Sequence, residues 1–195
     1  NDAIIDYTKV IEIRKNYENC YIIRGIAKGK LGKYHNAIDD FEMAIEISEN
    51  ISSKDTVKQV SKNISISELN KIIDANPIDI NAYFNRGKLR YGLNDFRGAM
   101  TDLNRAIEID FEYSVPMSFV YRACLYYEQS YYEQSISDFN KTIELMPEKA
   151  YLYFFRAGTL LQMGKRNEAC LDFSKAGELG FGVAYDFIRE YCEIY

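Results

Sequence analysis

The side chains able to carry chemistry are few, and their spacing argues against catalysis. His35 is the only histidine. It opens a helical stretch, so a solvated ring is the expected state. No G-x-S-x-G, H-E-x-x-H or other nucleophile–base arrangement occurs. Gly25-Ile-Ala-Lys-Gly29-Lys30 has some features of a phosphate loop. Its glycines are too close together, however, and no Ser or Thr follows the lysine. Gly25 is better explained as a small residue at a helix contact, and Lys28, Lys30 and Lys33 as a solvated surface. Cys20, Cys124, Cys170 and Cys192 show no C-x-x-C and no His at ligand spacing, which excludes the usual zinc patterns. Four buried free thiols are the expectation. Neither a metal nor a cofactor is called for, and the chain reads as a non-enzyme.

The composition points to a soluble globular chain. Of its 195 residues, 27% are charged and 47% hydrophobic, as in ordinary globular proteins. The net charge of −5 argues against a nucleic-acid or anionic-membrane surface. No apolar run approaches the roughly 20 residues that span a bilayer, so direct membrane insertion is not expected. A cytoplasmic setting is the default. The sequons at Asn50, Asn63 and Asn140 would matter only in a secreted eukaryotic protein. Seventeen Tyr and eleven Phe, with no Trp, are a heavy aromatic load, best used in packing between helices.

A repeat organises these residues. A small residue recurs at Ala3, Ala37, Ala99, Ser135 and Ala169, in steps of 34, 62, 36 and 34. Four residues later stand Tyr7, Phe41, Leu103, Phe139 and Phe173. Seven later stand Val10, Ala44, Ala106, Thr142 and Ala176. Upstream of each complete copy lies an aromatic with a small residue four further on: Tyr21/Gly25, Tyr83/Gly87, Phe119/Ala123 and Tyr153/Ala157. The pattern resembles the tetratricopeptide repeat, a 34-residue helix–turn–helix unit. In the copy at 80–110, Tyr83 replaces the usual tryptophan, Arg86 the leucine, Leu103 the aromatic and Phe111 the proline. The resemblance implies an all-α, right-handed α-solenoid of about five tetratricopeptide helix pairs with a C-terminal capping helix.

In chain order, 1–15 is a second helix lacking its first, so repeats or another segment are expected upstream. A complete repeat follows at 18–48. The step of 62 from Ala37 to Ala99 is six residues short of two repeats, and the shortfall falls in 49–77. This stretch reads as a degenerate repeat, with a second helix near 65–75 opened by a Ser65–Glu68 capping box and a short first helix near 53–62 holding Val57 and Val60. The alternative is a polar linker. Repeats at 80–110, 115–147 and 149–178 come next, then a cap helix at 183–193. All belong to one array over 1–195.

Arg24, Arg86, Arg122 and Arg156 each precede the small residue of a first helix. Asp40, Asp102, Asp138 and Asp172 each follow the key small residue of a second helix by three. Antiparallel helices would join them as four ion pairs within repeats, leaving Asp6 without its own Arg. The competing register joins each Asp to the next repeat's Arg, as in Asp6–Arg24.

In the family that the repeat resembles, first helices line a concave groove that holds an extended peptide or a helix. The face turned away from the paired helix places Asn81, Phe84, Lys88, Tyr91, Val120, Cys124, Tyr127, Tyr151, Phe154 and Leu161 in that groove. So apolar a stripe suits a protein partner. Family members that grip a terminal carboxylate use Lys and Asn across successive first helices. Here those positions hold Ile22, Phe84, Val120 and Phe154, so an apolar or aromatic motif is the better ligand. The expected function is a protein-interaction scaffold. The alternatives are self-association through the helix at 1–15, or the non-catalytic part of a larger enzyme or sensor.

Overall fold

The computed structural model describes the chain except for residues 1, 14, 16–17, 31–33, 53–63 and 193–195. Among the described residues, eleven helices and no strand occur: α1 Asp2–Ile13, α2 Glu18–Lys30, α3 Tyr34–Ser52, α4 Ile66–Ala75, α5 Ile80–Gly92, α6 Phe96–Ile109, α7 Met117–Glu128, α8 Tyr132–Leu145, α9 Ala150–Gln162, α10 Arg166–Glu178 and α11 Ala184–Tyr191. The chain packs as two compact units, Asn1–Ile64 and Ser65–Tyr195. The boundary falls in the stretch where the sequence offers little apolar material to bury. The short first helix read at 53–62 lies outside the described residues.

In the first unit α2 pairs with α3, and α1 packs on α2. Ile11, Cys20, Tyr21, Ala44 and Ile47 form its buried cluster, with Tyr7 and Ile22 against it. The close approach of α2 and α3 depends on Gly25. A Cβ there would sit 2.6 Å from the Phe41 ring, well inside contact distance. In the second unit the pairs are α5–α6, α7–α8 and α9–α10, with α4 packed on α5 and α11 on α10. The same logic recurs at Gly87, whose missing Cβ would meet Leu103 at 3.1 Å.

Local signals set the helix limits. Ser65 and Glu68 close a reciprocal capping box that starts α4. Asp79 and Asp95 accept from the backbone N–H groups of Ala82 and Gly98 to start α5 and α6. The turns inside the three complete pairs of this unit each use one residue of left-handed backbone: Asn94, Ser130 and Gly164. Glycine and asparagine adopt it readily; serine less so.

One expectation is corrected. Cys170 and Cys192 are not free thiols; they form a disulfide with Cα atoms 5.7 Å apart. Cys20 and Cys124 are buried thiols outside any disulfide, in accord with their reading. The bond ties α10 to the end of α11. The spacing of 22 residues hid it, because the two cysteines meet only once α11 folds back over the last pair.

Candidate functional site

All four intra-repeat ion pairs form, and each is a two-pronged grip. Arg24 holds Asp40 through Nε at 3.0 Å and Nη2 at 2.7 Å. Arg86 holds Asp102 at 2.9 and 2.7 Å, Arg122 holds Asp138 at 2.7 and 2.7 Å, and Arg156 holds Asp172 at 2.7 and 2.6 Å. The guanidinium fork matches a carboxylate geometrically, which a lysine could not do. The carboxylates are all buried. Each Arg also lies over the aromatic three residues before it: Tyr21, Tyr83, Phe119 and Tyr153.

The third nitrogen of each fork does what the sequence left undetected. It donates backwards to the preceding second helix: Arg24 to Thr8, Arg86 to Asn70, Arg122 to Asn104 and Arg156 to Asn140. The competing register is thereby resolved, with Arg24 reaching Thr8 of α1 while its carboxylate partner is Asp40. One guanidinium thus fixes both the pairing within a repeat and the stacking on the repeat before it. The sequence signal was present: a Thr or Asn stands at the same offset in each preceding second helix. Asp40 and Asp102 receive a second cation, Lys28 and Arg90, each at 2.7 Å. Burial pushes the Asp138 carboxyl above its usual range, against the opposing pull of Arg122. The same contact helps hold the Arg122 guanidinium above its ordinary value, although burial works against it.

The candidate groove residues divide into two groups. Tyr91, Val120, Cys124, Tyr151 and Phe154 are buried. Tyr91 packs edge-on to Tyr121 and gives its hydroxyl to Glu128 at 2.6 Å. Tyr151 reaches Met117 on α7. Phe154 is covered by Phe181 and by Phe187 of α11. These side chains are packing between successive first helices and under the cap, so they are not a free surface. The other group is accessible: Asn81 is exposed, and Phe84, Lys88, Tyr127 and Leu161 are half-buried. Phe84 and Lys88 both rest on the Tyr121 ring, at 5.7 and 5.3 Å, and Tyr127 meets Tyr132. Burial raises the Glu128 carboxyl at this edge, although the Tyr91 hydroxyl bond pulls it down.

A second recess was not foreseen. Between the α6–α7 connection and α8 lies an open cleft of about 470 Å³, lined by Ile107, Asp110, Phe119, Arg122, Asp138 and Lys141. Asp110 builds this connection by accepting from Ser114 and from the Val115 backbone, contacts that lower its pKa against the effect of burial. The cleft's two carboxylates match its two cations in number, so its lining carries no net formal charge. Among the described residues, no cluster of His, Cys, Asp or Glu could hold a metal ion, and no helix is long and apolar enough to cross a membrane.

Helix pairs of this length, with small residues at each contact and a step near 34, define a class of stacked helical repeats. The tetratricopeptide-repeat model matches residues 19–51 and 80–113, and the chain is a tetratricopeptide-repeat protein. No curated protein matches its sequence. Among solved structures it is similar to the C-terminal part of a TPR repeat-containing protein from Cytophaga hutchinsonii, at 19% identity over 97% of this chain and 81% of that one, with a TM-score of 0.56. MamA is similar at 19% identity over 98% and 86%, with a TM-score of 0.54. YrrB, described as a TPR protein with an unusual peptide-binding site, is similar at 16% identity over 96% and 85%, with a TM-score of 0.50. At these identities the likeness concerns the fold.

Proposed function

We propose that the chain is a non-enzymatic interaction scaffold whose second unit binds an extended segment or a helix of another protein along its first helices. The observation that carries this reading is the accessible set Asn81, Phe84, Lys88, Tyr127 and Leu161 on α5, α7 and α9. The set combines aromatic surface, a cation and a hydrogen-bonding amide, the usual makings of a peptide-binding face. Its ligand is an apolar or aromatic motif with an acidic flank for Lys88. The buried remainder of the stripe supplies rigidity: side chains already fixed by packing lose little entropy on binding.

A disulfide between Cys170 and Cys192 suits an oxidising setting better than the cytoplasm expected from composition. A photoreactive residue placed at Asn81 tests the binding face. Crosslinks to a partner from Asn81, and none from Arg105 on the exposed side of α6, are the expected result. Equal crosslinking from both positions would refute the groove.

A further inference from the structure

Helix α11 takes the place of a further first helix. It packs on the second helix α10, and the repeat step of 34 carries Tyr153, Arg156 and Ala157 of α9 onto Phe187, Glu190 and Tyr191. The aromatic is kept, whereas the arginine and the small residue are replaced. In the four complete copies that arginine donates to a Thr or Asn of the preceding second helix. A glutamate carboxylate accepts hydrogen bonds and cannot donate this one. The Cys170–Cys192 bond stands in its stead, joining α10 to the residue directly after α11. Both cysteines are half-buried. At the other end, α11 is tied to α10 through Gly180 and Gly182. Gly180 has a left-handed φ of 93°, and nothing but immediate neighbours lies within 4 Å of where either glycine's Cβ would be. That turn is free of packing, as a hinge requires.

We propose that Cys170–Cys192 is a redox latch, and that its reduction lets α11 swing off the last pair and bare Phe154 and Phe173. The chemistry is thiol–disulfide exchange with glutathione or a protein dithiol. A reductant thiolate attacks one sulfur to give a mixed disulfide, and a second reductant thiolate resolves it. Two reductant thiols become one disulfide, while two electrons and two protons pass to the chain and leave Cys170 and Cys192 as thiols. Partial exposure gives the attacking thiolate its access. Once the bond is open, the helix keeps its contacts of Phe187 with Phe154 and Phe173 and the bond from Arg166 to the Tyr191 carbonyl. It has eight residues, too few to stay helical in water once undocked. The arginine clasps of the other copies respond to no reductant, so the device is confined to the cap. Phe154 and Leu161 lie two turns apart on α9, so opening also lengthens the binding face, a consequence that rests on the groove reading. The latch itself does not.

The test compares the whole oxidised chain with the chain held in excess reduced glutathione, by thiol alkylation with mass readout and by amide hydrogen exchange. Alkylation of Cys170 and Cys192 is expected, with exchange in Ala184–Tyr191 quickened by about tenfold or more while α5 to α8 keep their protection. Glutathione disulfide should restore the slow exchange. The Cys170→Ser/Cys192→Ser chain should exchange like the reduced one and ignore glutathione. Four results would overturn the proposal. A bond that dithiothreitol breaks but glutathione leaves intact is a fixed staple. Unchanged exchange in α11 after reduction means that the other contacts hold the cap shut. Protection lost throughout α5 to α10 means that the unit unfolds instead of releasing its cap. A double variant that still responds to glutathione places the effect elsewhere. No ligand enters either readout, so the outcome leaves the groove reading to its own test.

Discussion

At the scale of single residues, the arginine–aspartate contacts carry the most structural information. Removing one member strands a buried charge, which costs far more than an exposed pair is worth. Arg122→Met should lower stability by about 3–5 kcal/mol, as measured by denaturant unfolding. The loss should depend on pH. Without Arg122, burial alone acts on the Asp138 carboxyl and raises its pKa further than in the native chain. The folded variant then binds the proton more tightly than the unfolded chain, so its stability falls as pH rises and recovers on acidification from pH 7 towards 5. A deficit independent of pH would place the cost in packing instead. Ser135 gives the opposite case. It occupies the position held by alanine in the other copies, is fully buried, and its hydroxyl has no hydrogen-bond partner among the described residues. Ser135→Ala should therefore raise stability by about 1 kcal/mol, read as a higher unfolding midpoint. The arginine–aspartate pairs were legible in the sequence because both residues recur at fixed offsets. The backward bonds to Thr8, Asn70, Asn104 and Asn140 are equally periodic, but charge matching picks out only the acidic partners of an arginine and passes over neutral Thr and Asn.

At the scale of elements, helix positions follow from periodicity, and the departures have physical causes. α4 begins at the capping box because that signal is local. The cap helix α11 was legible from the glycines before it, yet its fastening was not, since a disulfide depends on a chain reversal that no periodicity encodes. Phe187 of α11 packs on Phe154 at 4.8 Å and on Phe173 at 5.2 Å, so the cap has an aromatic anchor as well as the bond. Cys192→Ser should cost about 2–4 kcal/mol through the freed unfolded chain. Hydrogen exchange should quicken in Ala184–Tyr191 while α7 and α8 keep their protection. Unchanged exchange in α11 would mean that the aromatic contacts alone hold it.

At the scale of the molecule, the apolar stripe on the first helices divides into a buried set and an accessible set that sequence could not separate. A helical period shows which face is apolar, but not how much of that face the next first helix covers. Tyr91, Val120, Cys124, Tyr151 and Phe154 are consumed by stacking and by the cap. Asn81, Phe84, Lys88, Tyr127 and Leu161 stay accessible, and they form the proposed binding face. The most direct test is affinity capture from native extract, comparing the wild-type chain with Phe84→Ala/Tyr127→Ala after circular dichroism has shown both to be folded. The account predicts a protein retained by the wild type and lost by the double variant. The same protein retained equally by both would contradict it.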